Sequence, residues 1–66
     1  MVVVFEGKNK KEIRHLENAI NVSVQELHGE SAYGVTYRST KSGELKFKGY
    51  PLRCWKLINV NNEEVR

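Results

Sequence analysis

Apolar positions along this chain recur with two periods, one of two residues and one of three to four. Val2-Val3-Val4-Phe5 is β-branched and aromatic, with Gly7 just beyond, and predicts a short buried strand. Ile13, Leu16 and Ile20 then lie at spacings of three and four with Ala19 beside them, which predicts one helix from about Lys10 to Ile20. Asn9 is placed to cap that helix, with Glu12 in a capping-box arrangement. Lys10 and Lys11 in its first turn oppose the helix dipole.

Period two returns with Val22 and Val24, which alternate with Asn21, Ser23 and Gln25 and predict a strand ending near Leu27. The competing reading, a helix running on through Glu26 and Leu27, is weakened by the β-branched pair. His28-Gly29-Glu30-Ser31 has turn composition. Tyr33, Val35 and Tyr37 alternate with Gly34, Thr36 and Arg38; Leu45 and Phe47 alternate with Lys46 and Lys48. Between them lies the polar tip Thr40-Lys41-Ser42-Gly43, so the two runs predict a β-hairpin with Gly43 as its left-handed residue. Gly49-Tyr50-Pro51 predicts a break, because proline cannot donate to a ladder. Arg53 to Val60 predicts a further strand and 61–66 a polar tail.

The order β-α-β-β-β-β implies an α+β fold, a single two-layer domain over 1–60 with one helix on a mostly antiparallel sheet. The expected core joins Ile13, Leu16 and Ile20 of the helix to Val35, Leu45 and Phe47 of the hairpin, with Tyr33 and Tyr37 on the same face. Lys46, Lys48 and Tyr50 then share the opposite face, with Thr36 and Arg38 across from them.

Length tightens this picture. A chain of 66 residues buries only about 60% of its unfolded surface, so small domains usually add a disulfide, a metal or a partner. One cysteine, Cys54, cannot form an internal disulfide. His15, His28 and Cys54 have no paired metal-ligand spacing, so no metal or other cofactor is expected. Self-association is the remaining staple. The lone cysteine fits a reducing compartment. Met1 to Phe5 is too short for a leader's apolar region, and no run approaches the roughly 18 apolar residues of a membrane span. The expectation is a cytoplasmic protein with no membrane partner.

Charge adds one localised feature. Eleven Lys and Arg against eight acidic residues give +3, and every acid is Glu. Between Arg38 and Lys56 stand six basic residues and one acid, Glu44. No nucleophile elbow, phosphate loop or metal pair is present, so the expectation is a non-catalytic protein. Two binding classes stay open. Arg53, Tyr50 and Trp55 are residue types enriched at protein interfaces, and association with a protein partner or a second copy, as a homodimer, is placed first. Nucleic-acid binding through the basic hairpin face is the alternative, with Lys46 and Lys48 on phosphates and an aromatic stacked on a base. No RNP aromatic signature, helix-turn-helix spacing or GXXG loop supports it. The candidate contact residues for either class are Arg38, Lys46, Lys48, Tyr50, Arg53 and Trp55.

Overall fold

The computed structural model describes residues 1–65, and Arg66, the last residue of the expected polar tail, lies outside them. The described chain is all β. Its strands are β1 (Val3–Gly7), β2 (Ile13–Leu16), β3 (Ala19–Leu27), β4 (Glu30–Arg38), β5 (Leu45–Pro51), β6 (Trp55–Val60) and β7 (Glu63–Glu64). They form two antiparallel sheets, ordered β2-β1-β6-β7 and β3-β4-β5.

This corrects the α+β expectation: the segment predicted as a helix from Lys10 to Ile20 is a loop, a strand, a tight turn at Glu17-Asn18 and the start of another strand. The reason is the first strand. Val3, Val4 and Phe5 are all buried, so the backbone of β1 needs hydrogen-bond partners along both edges, and β2 supplies one of them. The loop 8–12 folds back to make that pairing, with Gly7 N donating to Glu12 O (2.9 Å) and Lys8 N to Cys54 O (2.8 Å). Ile13 then faces outward, Leu16 packs inward and Ile20 sits at a bulge in β3. Ile13 and Ile20 are each 51% exposed, so the three-four spacing does not mark a buried stripe. The lysines of the first turn and the β-branched Ile13 and Ile20 disfavour the helix locally.

The strand and hairpin expectations hold more closely. Residues 22–27 belong to β3 rather than to a helix. Two-residue turns join β3 to β4 and β6 to β7, and both central residues of each are left-handed: His28 (φ 51°) and Gly29 (φ 80°), Asn61 (φ 52°) and Asn62 (φ 67°). That backbone matches the twist of paired strands, and Gly and Asn tolerate it best. Gly43 takes the left-handed conformation expected of it (φ 73°). The break falls later than Gly49: Pro51 is the last residue of β5, an edge strand, where its missing donor is tolerated. Glu63 and Glu64, expected in the tail, pair with Val60 and Asn59.

The sheets face each other through an aromatic cluster. Phe5 of β1 stacks on Tyr50 of β5 (ring centroids 4.3 Å, 13° between planes) and lies 5.4 Å from Tyr33 of β4. Trp55 of β6 meets Tyr50 edge-on at 5.4 Å. Val3, Ala19 and Val35 complete the buried centre, with Leu16, Val22, Leu57 and Val60 around it. The expected core therefore holds for Val35 and in part for Leu16, and fails for Ile13, Ile20, Leu45 and Phe47.

Candidate interaction surface on the three-stranded sheet

Register decides which side chains of β5 meet the core. The six residues 39–44 close the β4–β5 hairpin so that Arg38 pairs with Leu45, Tyr37 with Lys46, Thr36 with Phe47, Val35 with Lys48 and Tyr33 with Tyr50. Directly paired residues share a face. Lys46, Lys48 and Tyr50 therefore lie with Tyr33, Val35 and Tyr37 on the face turned toward the other sheet. Leu45 and Phe47 lie with Thr36 and Arg38 on the outer face. This is one step from the expected arrangement, and one step exchanges every side chain between the faces.

The loop holds that register with its own hydrogen bonds. Ser39 N donates to Glu44 O (2.8 Å) and Gly43 N to Ser39 O (2.9 Å). The Arg38 guanidinium donates to Gly43 O (2.6 Å), so this exposed side chain is engaged in its own hairpin.

The six sequence-derived candidates do not form one cluster. Tyr50 is 2% exposed, with one ring face against Phe5, and its hydroxyl has no hydrogen-bond partner among the described residues. It offers no stacking surface without opening the core. Trp55 is half-buried at the sheet-to-sheet boundary, with the Arg14 guanidinium 5.5 Å from its ring centroid. Lys46 and Lys48 are exposed on the inward side of the edge strand, and the Lys48 ammonium sits 5.5 Å from the Tyr50 ring. Arg38 is on the outer face. Arg53, in the turn after β5, donates to Glu30 (3.0 Å) at the rim of that face. The Glu30 carboxylate, chiefly by this hydrogen bond, holds the Arg53 guanidinium above its already high ordinary pKa. Its positive charge is thus fixed over the accessible pH range.

Two groupings emerge instead. One is basic and lies at the boundary of the sheets: Arg14 over Trp55 and Lys48 over Tyr50. Arg14 is also paired with Glu12 (3.1 Å). The other is apolar and lies on the outer face of the three-stranded sheet. There the centre is lined by small residues, Ala32 and Gly34 on β4 and Gly49 on β5. Larger neighbours lean over them. A Cβ on Gly34 would meet Gln25 Nε2 at 2.7 Å and Phe47 Cζ at 2.9 Å, and one on Gly49 would meet Leu27 Cδ1 at 3.0 Å. The glycines are what allow Phe47 and Leu27 to lie flat across the sheet. Even so, Phe47 is 52% exposed and Leu45 58%. Beside Phe47 is an open groove of about 540 Å³ bounded by Leu27, Ala32, Phe47, Pro51 and the Glu30–Arg53 pair.

Phe47, Leu45 and Leu27 escaped the sequence-level candidate set because period-two alternation shows that two faces differ but not which one is covered. Part of a signal was present: Gly49 shares the parity of Phe47 along β5, and a glycine in a strand marks a place where a neighbouring side chain can lie close over the backbone.

The two histidines and the cysteine lie on three different segments. His15 is on the outer face of β2, His28 in the β3–β4 turn and Cys54 in the turn before β6. Among the described residues, no group of three His, Cys, Asp or Glu side chains could hold a metal ion, and no helix is long and apolar enough to cross a membrane. Comparison with known protein families, characterised proteins and solved structures gives no significant match.

Proposed function

We propose that this chain is a small non-catalytic binding module that associates with protein through the outer face of β3-β4-β5, with Phe47 at its centre. The observation that carries the reading is the half-exposed Phe47, which lines a groove rimmed by the Glu30–Arg53 ion pair and is followed along the same face by the half-exposed Leu45. An apolar centre with a polar rim is the usual anatomy of a protein interface. A free, half-buried Cys54 accords with a reducing compartment such as the cytoplasm.

A second reading, single-stranded nucleic acid, draws on the stacking of Arg14 on Trp55 and of Lys48 on Tyr50 at the boundary of the sheets. It ranks lower because Tyr50 is buried and Trp55 already carries Arg14, so neither ring is free for a base.

One set of nuclear magnetic resonance titrations separates them. Small organic probes such as phenol and isopropanol collect at interface centres. They are expected to shift the amides of Leu27, Phe47 and Gly49, while oligonucleotides at low salt leave those signals unmoved. The association reading fails if the probes find no site on this face. It fails equally if an oligonucleotide binds with shifts centred on Arg14, Trp55 and Lys8 to Lys11, with a salt slope of about −0.7 per phosphate contact.

A further inference from the structure

β5 is the outermost strand of its sheet, so one row of its backbone N–H and C=O groups has no neighbouring strand. Its two faces are chemically opposite. Toward the other sheet it presents Lys46 and Lys48, both exposed; away from it, Leu45 and Phe47. Its seven residues include no acid. Glu44 comes just before the strand, and Glu30, at the far end of the sheet's outer face, is held by Arg53.

From this we infer that β5 receives an extended segment of a partner protein in which acidic and apolar residues alternate. The segment adds as a fourth strand, an inference that rests on the association reading above. Strand addition satisfies the free backbone row, while side chains of alternate residues supply specificity. In the added strand, residues opposite Lys46 and Lys48 are acidic. Those opposite Leu45 and Phe47 are apolar and extend the cover that Leu27 and Phe47 already form over Gly34 and Gly49. Cross-strand pairs of opposite charge and of apolar groups both stabilise a sheet.

A second copy is the poorer occupant of this edge. Pairing β5 with β5 across a two-fold axis, with matching faces, sets Lys46 and Lys48 of one copy against the same lysines of the other. Like charges facing each other across strands are destabilising. The lysines therefore discourage self-pairing and favour an acidic strand by the same electrostatics. If they served only to prevent aggregation, acidic and basic peptides would bind equally poorly.

The test uses the full chain, labelled with 15N and titrated with two capped hexapeptides, Val-Glu-Val-Glu-Val-Glu and Val-Lys-Val-Lys-Val-Lys. The acidic peptide is expected to shift and protect amides of Leu45 to Tyr50 and to bind about tenfold or more tighter than the basic one. The double variant Lys46→Glu/Lys48→Glu is expected to reverse that order. Unchanged ring signals of Phe5 and Tyr33 show that its fold is intact. The inference is overturned if the acidic peptide leaves β5 unmoved, if the two peptides bind alike, if the variant keeps the original preference, or if shifts centre on Lys8 to Lys11. Failure here with organic probes still seated at Phe47 removes the strand-addition inference alone; failure of both removes the association reading as well.

Discussion

Two phenylalanines in this chain offer a matched comparison. Phe5 is fully buried, stacked on Tyr50 and tilted against Tyr33, whereas Phe47 is 52% exposed on the opposite side of the three-stranded sheet. Replacing each by alanine deletes the same atoms. At Phe5 the loss comprises transfer and cavity terms of about 3–5 kcal/mol, plus roughly 0.5–1.5 kcal/mol for each aromatic pair. At Phe47 about half of the side chain's full burial value is at stake, on the order of 1 kcal/mol, and no cavity forms. A domain of 66 residues has a total stability of roughly 3–10 kcal/mol. Phe5→Ala is therefore expected to leave the chain largely unfolded in water, and Phe47→Ala to lower the melting temperature by about 4–8 °C. Phe5→Leu, which keeps most of the volume but loses both ring contacts, should fall between them at about 1–3 kcal/mol. Urea titrations followed by the fluorescence of Trp55, the one tryptophan, give the three values directly. Comparable losses at Phe5 and Phe47, or a larger loss at Phe47, would refute the assignment of faces.

Three further outcomes follow from the same packing. Tyr50→Phe removes a buried hydroxyl that has no partner among the described residues, so it should raise stability by about 1 kcal/mol in urea unfolding; destabilisation would show that the hydroxyl is satisfied. Gly29→Ala puts a Cβ on a left-handed turn residue with φ 80° and should cost about 1 kcal/mol without shifting the hairpin signals in a proton–nitrogen spectrum. Arg14→Ala removes the cation over Trp55 and the pair with Glu12, and should change the Trp55 emission while costing at most about 1 kcal/mol, since Arg14 is exposed.

How far the sequence could be read varies along the chain, for reasons that can be located. The buried strand at Val3 to Phe5, the hairpin around Gly43 and the strand ending at Val60 follow from short-range signals: β-branched runs, alternation and turn residues. The helix expected at Lys10 to Ile20 is wrong because an eleven-residue window with four apolar positions fits a helix stripe as well as two short strands and a turn. The choice is made by β1, a buried strand whose backbone N–H and C=O groups demand hydrogen-bond partners along both edges. That demand is tertiary and leaves no mark in the segment that answers it. The candidate surface was half legible for a related reason. The hairpin was located, but a one-residue difference in its register placed Phe47 inside and Tyr50 outside, the reverse of the structure. Loop length, six residues from Ser39 to Glu44, fixes that register, and alternation alone does not.

The division of β5 into a buried Tyr50 and an exposed Phe47 underlies the fold, the candidate surface and the proposed partner alike. A nuclear Overhauser spectrum of the aromatic rings tests it most directly. Strong cross-peaks are expected from Phe5 to Tyr50 and Tyr33, with Phe47 reaching Gly34 and Gln25 and silent toward Phe5. Cross-peaks from Phe47 to Phe5 with Tyr50 silent, or sequential amide contacts of a helix between Lys10 and Ile20, would contradict the account.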